Sequence, residues 1–249
     1  MATHPTAARG FGSSAGAYER GRPSYPDGAV AHLAAELGLG PGVRVVDLAA
    51  GTGKLTRLLA EGGAEVVAVE PVAAMREGLE QAVPGVEALD GTAEAIPLPD
   101  GSVDAVTVAQ AFHWFDAEAA VAEIHRVLRP GGGLGLIWNV MGADSDWLAA
   151  VSGLVHGLRG SAPAYGPSPW RDVFRAGTLF TPFRERTFGF HQLLDEDGLV
   201  DRIASTSYVA ALPDGERAEL LGQVRALVRD VPRPIRVPYR TDVFTCLGT

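Results

Sequence analysis

Two hydrophobic patterns alternate along the chain and predict its secondary structure. Short apolar runs rich in β-branched residues predict buried strands, and apolar positions three or four residues apart predict amphipathic helices. Strands are predicted over residues 43–48, 65–70, 86–89, 104–110, 134–140, 183–194 and 235–247. Helices are predicted over residues 27–37, 54–60, 73–81, 116–129, 147–158, 170–176, 195–205 and 213–230. With 249 residues, the chain is long enough for one large α/β domain.

The stretch from Val43 to Leu55 joins the first strand to a helix through a turn of small residues, Ala-Ala-Gly-Thr-Gly at 49–53. Such a unit presents backbone N–H groups and a helix N-terminus to an anionic or nucleotide-like ligand. It is not a phosphate-binding P-loop, because Gly53-Lys54 is followed by Leu55 instead of Ser or Thr. A dinucleotide site is disfavoured as well, because Thr56 stands where that motif has its third glycine.

The same stretch resembles the first motif of the class I S-adenosylmethionine (SAM)-dependent methyltransferases, in which an Asp ends the first strand and a Gly-x-Gly turn follows. Asp47 and Gly51-Thr52-Gly53 carry the resemblance. The family often has glycine at the position of Ala49, and we expect slightly less room there. The string Glu123–Gly132 closely resembles a later motif of the family. Phe112–Phe115, Phe-His-Trp-Phe, resembles small-molecule methyltransferases of the trans-aconitate type.

This resemblance covers residues 43–139 and, more loosely, residues 18–26 and the C-terminal strand pair. It implies a Rossmann-like α/β fold: a seven-stranded, mostly parallel sheet with helices on both faces and a small helical cap insertion. It implies one methyltransferase domain over residues 1–249, with a lid arm at 16–26 and a substrate cap at 141–182. The implied cofactor is SAM, which leaves as S-adenosylhomocysteine (SAH).

Several positions are predicted to bind this cofactor. Glu70 ends the second strand, where a carboxylate can accept both ribose hydroxyls. Thr92 stands where relatives often carry an Asp that reads the adenine edge, which leaves Asp90 and Glu94 as alternative acceptors for the adenine amino group. The predicted cofactor-binding set is Asp47, Ala49, Gly51, Gly53, Glu70, Pro71, Thr92, Ala93, Glu94, Gln110, Tyr18 and Arg22.

Aromatic and charged residues indicate the acceptor side of the site. Residues 111–116 follow the fourth strand, and ligands of open α/β sheets lie at the carboxyl ends of strands. His113 is a candidate base for a hydroxyl acceptor, whereas a carboxylate acceptor needs none; a packing role for His113 is the alternative. Arg22 is predicted either to contact the cofactor carboxylate or to anchor the substrate. The predicted substrate-binding residues are Tyr25, His113, Trp114, Trp138 and Trp147.

Composition narrows the range of partners. The formal net charge is −9 and the sequence has no Lys/Arg cluster, which disfavours nucleic-acid binding. The one cysteine, Cys246, excludes an intramolecular disulfide and a Cys-based metal site, and no metal is expected. Apolar runs are too short for a membrane span, and residues 1–10 lack the apolar core of a secretory signal. We therefore expect a soluble cytoplasmic protein, a monomer or homodimer, without a membrane partner.

The preferred prediction is an enzyme that transfers the sulfonium methyl of SAM to a carboxylate or hydroxyl oxygen of a small molecule. Because fold does not fix function, a SAM-fold protein that binds SAM or SAH without transfer, or that runs a different reaction, is the alternative. A Rossmann dehydrogenase is less favoured, since Thr56 breaks the glycine motif and no Tyr-x-x-x-Lys signature is present in the sequence.

Overall fold

A computed structural model describes residues 20–158, 165, 170–176 and 179–249. The strands are β1 (Arg44–Leu48), β2 (Glu65–Val69), β3 (Glu87–Leu89), β4 (Val103–Ala109), β5 (Leu128–Met141), β6 (Arg184–Leu194) and β7 (Ile235–Leu247). They form a seven-stranded sheet with the order β3-β2-β1-β4-β5-β7-β6. The pairs from β3 through β5 are parallel, and β7 runs antiparallel to both β5 and β6. The predicted Rossmann-like, mostly parallel sheet is confirmed.

The strand order places a ligand crevice at one edge of this sheet. β1 lies between β2 and β4, so the order of the strands reverses at the β1/β4 pair. In doubly wound sheets, ligands bind at such a point, outside the carboxyl ends of the strands. The segments that follow β1, β2 and β4 therefore meet at the same edge.

The helices largely match those expected from the apolar periodicity. They are α1 (Asp27–Leu37), α2 (Lys54–Glu61), α3 (Ala73–Ala82), α4 (Ala117–Val127), α5 (Asp146–His156), α6 (Trp170–Ala176), α7 (Glu196–Ala204), α8 (Ser207–Ala210) and α9 (Asp214–Leu227), with a short 3₁₀ helix at Phe112–Trp114. α8 is an addition to the prediction. Among the described residues, none of these helices combines the length and apolar character needed to cross a membrane.

The junction between α4 and β5 differs from the sequence prediction. We expected the helix to reach Arg129 and the glycine run 131–133 to separate it from the strand. The helix instead ends at Val127, and β5 continues through the glycines, with its pairing to β4 shifting register after Leu128. Glycine also lets α1 approach β5, since a Cβ at Gly135 would lie 2.4 Å from Leu33 Cδ1.

Helices cover both faces of the sheet, as predicted. Successive strand residues point to opposite faces. Val45 of β1 is accordingly buried in a cluster with residues of α1 and α2, and its neighbour Val46 in a cluster with residues of α4 and α6. A third buried cluster joins α5, α7 and α9 to the adjoining ends of β6 and β7. This third cluster holds helices that stand over one side of the crevice.

Candidate active site

The turn after β1 leaves open space at one glycine and packs tightly at another. Gly51 and Gly53 both have left-handed backbone conformations, with φ of 59° and 83°. A Cβ at Gly51 would meet nothing within 4 Å, whereas one at Gly53 would lie 2.9 Å from Leu79 Cγ of α3. Gly53 therefore allows α3 to pack against the turn, and Gly51 leaves room for a ligand to approach the backbone.

Ala49 adopts a conformation that usually favours glycine. Its φ is 55°, in the left-handed region. For an L-residue with a Cβ, this conformation is less favourable by about 1–2 kcal/mol. Alanine at this position, where the family often has glycine, therefore makes the backbone conformation of the turn less favourable. This effect comes in addition to the reduced room expected from the sequence.

Asp47 lies beneath the turn. Its side chain is 0% exposed, and it accepts hydrogen bonds from Thr56 Oγ1 at 2.6 Å and Thr107 Oγ1 at 3.1 Å. Burial raises the pKa of Asp47 to about 6. This carboxylate ties β1 to α2 and β4, so the geometry favours a supporting role over the predicted direct contact with the cofactor. Thr56, which breaks the dinucleotide motif, supplies one of the two hydroxyls.

Glu70 lies beside the open face of the turn. It is 6% exposed; its Oε2 accepts the Gly51 N–H at 3.0 Å and its Oε1 accepts the Val72 N–H at 2.9 Å. Burial raises the pKa of Glu70. The carboxylate thus joins the turn to the start of α3, with the partly buried Pro71 between them. Its position agrees with the ribose role, which stays a prediction.

The segment predicted to read adenine contains an unpartnered hydroxyl. Thr92 Oγ1 is buried and has no hydrogen-bond partner in the described part of the chain. The two alternative acceptors are engaged elsewhere: Asp90 pairs with Arg76 at 3.2 Å, and Glu94 accepts the Asp116 N–H at 3.0 Å. Ala93 is buried next to Thr92. The geometry therefore favours Thr92 over Asp90 and Glu94 as the adenine contact, which stays a prediction.

Two cavities open at the carboxyl edge of the sheet. The turn cavity, about 30 Å³, is lined by residues of the turn and by Arg22, Pro23 and Tyr25. The large cavity, about 270 Å³, is lined by His113, Trp114 and residues of α5, α7 and α8. Four side chains line both cavities and define their junction: Arg22, Gln110, Asn139 and Arg202.

Gln110 and Asn139 hold the junction in place. Gln110 has a left-handed φ of 60°; its N–H donates to Ile137 O at 2.9 Å and its Nε2 to Asn139 O at 3.2 Å. Asn139 in turn donates from Nδ2 to Ser24 O at 3.1 Å and accepts from Thr241 Oγ1 at 2.7 Å. A non-glycine residue in this conformation is strained, and such strain often accompanies functional sites.

His113 lines the large cavity in a neutral state. Its Nδ1 accepts the indole N–H of Trp138 at 3.4 Å. Burial and the positive charge of Arg22 lower the pKa of His113 to about 4. With Nδ1 acting as an acceptor, the proton of the neutral ring is on Nε2. His113 is therefore a hydrogen-bond donor, and it lacks an available lone pair for general-base catalysis.

Three of the aromatic residues predicted to bind the substrate do not line the large cavity. Trp138 is 0% exposed and stacks on Tyr165 at 4.7 Å, so it orients His113 from the core and does not line either cavity. Trp147 packs against the cluster formed by α5, α7 and α9, and is absent from the lining of both cavities. Tyr25 lines the turn cavity only. Trp114 does line the large cavity, and Tyr18 lies outside the described residues.

Two arginines stand at the junction, one of which the sequence prediction missed. Arg22 Nε and Nη2 donate to Ser205 Oγ and O, each at 3.1 Å. Arg202, on α7, is 8% exposed, and its Nε donates to Tyr239 OH at 2.8 Å. A charged side chain on a helix is usually assigned to the surface. The sequence signal that could have indicated burial of Arg202 is its position between Leu199 and Ile203, on the apolar face of α7.

Comparisons with known proteins agree on one family. Residues 46–136 match a family model described as a methyltransferase domain. An uncharacterized methyltransferase of Mycobacterium tuberculosis is 44% identical over 236 residues, covering 93% of this chain and 92% of that protein. The solved structure of a candidate type II methyltransferase from Anaeromyxobacter dehalogenans has a TM-score of 0.65 at 27% identity, covering 90% of this chain and 97% of that one. A geranyl diphosphate methyltransferase in complex with SAM has the same fold, with a TM-score of 0.53, 17% identity and coverage of 88% and 84%.

Proposed function

The chain belongs to the class I SAM-dependent methyltransferases, and from this premise we propose that it methylates a small molecule on a carboxylate oxygen. The acceptor occupies the large cavity, and the cofactor lies along the turn after β1. The two meet at the junction formed by Arg22, Gln110, Asn139 and Arg202.

The state of His113 carries this proposal. A general base for a hydroxyl acceptor needs an available lone pair and a pKa near the working pH. His113 has neither, because Nδ1 accepts from Trp138 and its pKa is about 4. A carboxylate is already deprotonated at neutral pH, so it needs no base. His113 instead offers its Nε2–H as a donor to the acceptor.

His156 is the candidate base if the acceptor were a hydroxyl. It lines the large cavity, and its Nδ1 lies 2.8 Å from Ser152 O, which leaves Nε2 as the nitrogen with a lone pair. However, His156 is exposed and does not line the turn cavity. It is therefore not among the side chains at the junction, where the transfer takes place.

Observations on the turn side fit SAM. The space in front of Gly51, the adjacent carboxylate of Glu70 and the unpartnered Thr92 hydroxyl suit a ribose and an adenine edge. SAM, when bound, supplies an electrophilic methyl: the acceptor oxygen forms the new C–O bond with a lone pair, and the electrons of the broken S–C bond stay on sulfur, giving a methyl ester and SAH.

The protein's own contribution is alignment and exclusion of water. Arg22, Pro23 and Tyr25 line the turn cavity, which supports a lid role for residues 16–26. Ser152 and Val155 line the large cavity, which supports a cap role for residues 141–182. Placement of the acceptor within reach of the methyl group is the main rate effect expected of these elements.

Transfer of labelled methyl from SAM tests the acceptor chemistry. Matched acid and alcohol pairs, such as benzoic acid with benzyl alcohol and hexanoic acid with hexanol, are offered to the wild-type enzyme. We expect label only in base-labile esters, with kcat/KM flat between about pH 6 and pH 8. Label in an ether, with a rate that rises with pH and is lost in His156→Asn, would contradict the carboxylate proposal.

A further inference from the structure

We propose that Arg202 binds an anionic group of the acceptor, so that the large cavity selects small carboxylates with an apolar body. This inference rests on the proposed function, because it concerns the acceptor of the same reaction. It assigns a substrate-binding role to a residue in the C-terminal third of the chain, on α7.

The first observation is a buried cation without an anionic partner. Arg202 is 8% exposed, and no carboxylate among the described residues forms an ion pair with it. Its hydrogen-bond partners are neutral: Nε donates to Tyr239 OH at 2.8 Å and Nη1 donates to Thr206 Oγ1 at 3.4 Å. Buried arginines are normally paired, because an unpaired charge is costly to desolvate. A bound anion would supply the missing partner.

The second observation is the charge of the cavity. The chain as a whole carries a net charge of −9. The large cavity nevertheless has two guanidinium groups in its wall, Arg22 and Arg202, and no carboxylate among its described lining residues. The charged groups among its described lining residues are therefore opposite in sign to the net charge of the whole protein. A cleft of this kind concentrates anions near the site.

The two arginines are held in different ways, which separates their roles. Arg22 belongs to the arm and is bound to Ser205 at the end of α7 by two hydrogen bonds of 3.1 Å. Arg202 is fixed by Tyr239 of β7, and its Nη2 makes no hydrogen bond within the described part of the chain. A guanidinium oriented in this way can donate to a carboxylate oxygen in the cavity.

The apolar part of the wall can hold an apolar body attached to the anion. Away from the junction, the large cavity is lined by the apolar side chains of Val140, Met141, Val155 and Ile203, and also by polar side chains, among them Ser152, His156, Thr206 and Ser207. Its volume of about 270 Å³ limits the occupant to a small molecule. A short aliphatic or aromatic carboxylate satisfies both the guanidinium and this surface, whereas a neutral molecule leaves the Arg202 charge without a counterion.

Calorimetric titration of the SAH-loaded protein with benzoate and hexanoate tests the inference, with benzamide and hexanamide as neutral matches. We expect the carboxylates to bind at least about tenfold more tightly than the amides. Arg202→Gln is expected to weaken carboxylate binding by about tenfold or more and to leave SAH binding within about twofold. Arg202→Lys keeps the charge without the planar fork, so an intermediate affinity is expected.

Arg236→Gln is the matched control, because Arg236 is exposed on β7 and its loss changes the net charge by the same amount. This substitution should leave the affinities for SAH and for the carboxylates unchanged. Equal binding of amides and carboxylates, or absence of carboxylate binding to the SAH complex, would overturn the inference. Weaker SAH binding in Arg202→Gln, with unchanged benzoate binding once the variant is saturated with SAH, would overturn it as well, by making Arg202 a cofactor contact. Failure of the wild type to bind SAH would instead contradict the proposed function.

Discussion

The turn cavity and the large cavity are built from different kinds of contact. Around the turn, side chains at strand ends bond to nearby backbone, as when Glu70 accepts the N–H groups of Gly51 and Val72. At the large cavity, side chains bond across long sequence separations, as when Arg22 donates to Ser205. The cofactor side thus follows from the order of strands and turns. The proposed acceptor side includes contacts between residues far apart in the sequence.

The two sides also differ in charge. Buried carboxylates, Asp47 and Glu70, support the turn, and burial raises the pKa of each. Guanidinium groups, Arg22 and Arg202, line both cavities at their junction, and no carboxylate is among the described residues that line the large cavity. Changes on the turn side should therefore act on stability and cofactor binding, and changes around Arg202 should act on the acceptor. The following substitutions test this division.

The largest expected effect is on the pH dependence of stability, through Asp47. Its pKa is about 6 when folded, against about 3.9 when unfolded. Because the folded value is higher, the folded state binds the proton more tightly, and stability falls as pH rises from about 4 to about 6, by about 3 kcal/mol. Asp47→Asn should reduce the fall measured by urea unfolding across that range by this amount, while Glu70, whose pKa is also raised by burial, keeps its own contribution. Asp116→Asn, at an exposed cap of α4, should show the same fall in stability as the wild type. If Asp47→Asn also showed the wild-type fall, its assignment to Asp47 would be contradicted.

Glu70→Gln is expected to have the next largest effect, on cofactor affinity. The amide cannot accept as strongly from Gly51 and Val72 or from a ribose, and charge-assisted hydrogen bonds of this kind contribute about 1.5–3 kcal/mol. SAH affinity should fall by about 10- to 100-fold in calorimetry. Glu65→Gln, exposed at the start of β2, the strand that precedes Glu70, is the control. Wild-type affinity in Glu70→Gln would remove Glu70 from the cofactor site.

Ala49→Gly should stabilise the protein. The left-handed backbone at this position, with φ of 55°, favours glycine, so the free energy of unfolding is expected to rise by about 1 kcal/mol. Ala50 has no positive φ, and Ala50→Gly should lower the free energy of unfolding by about 0.5–1 kcal/mol. Urea unfolding of both variants checks the pair. Equal loss of stability in both would show that strain at Ala49 is absent.

Thr92→Val is expected to have the smallest effect and to separate stability from binding. The Thr92 hydroxyl is buried without a partner, so its removal should leave the melting temperature unchanged or slightly higher. SAH affinity should fall by about threefold to tenfold if the hydroxyl reads adenine. Thr245→Val removes another buried, unpartnered hydroxyl, on β7, and should leave SAH binding unchanged. Wild-type SAH affinity in Thr92→Val would leave Asp90 and Glu94 as the candidates for the adenine contact.

The sheet and the turn could be predicted from the sequence because their determinants are local. β-branched runs give the strands, and the end of each strand gives the position of Asp47, Glu70 and Gln110 at one edge. The exception is the start of β5, where the glycines at 131–133 were interpreted as a break. In the structure they continue the strand through a register shift, and glycine also permits the close approach of α1.

The acceptor side could not be predicted in the same way, because burial there depends on distant elements. Trp138 and Asn139 are neighbours on β5, and strand alternation sends Trp138 to the core face while Asn139 lines both cavities. Trp147 was assigned to the substrate although the packing of α5 against α7 and α9 directs it elsewhere. Arg202 is not among the predicted site residues, because the neighbours that identify its position, Tyr239 and Arg22 of the arm, are far from it in sequence.

Titration of two variants with two ligands tests the division of the site most directly. Glu70→Gln and Arg202→Gln are each titrated with SAH and, in the presence of saturating SAH, with benzoate. Glu70→Gln should lose SAH affinity by about 10- to 100-fold and keep its benzoate affinity. Arg202→Gln should keep SAH affinity and lose benzoate affinity by about tenfold or more. If both variants bound SAH and benzoate more weakly and to the same extent, the account that different residues determine cofactor binding and acceptor binding would be contradicted.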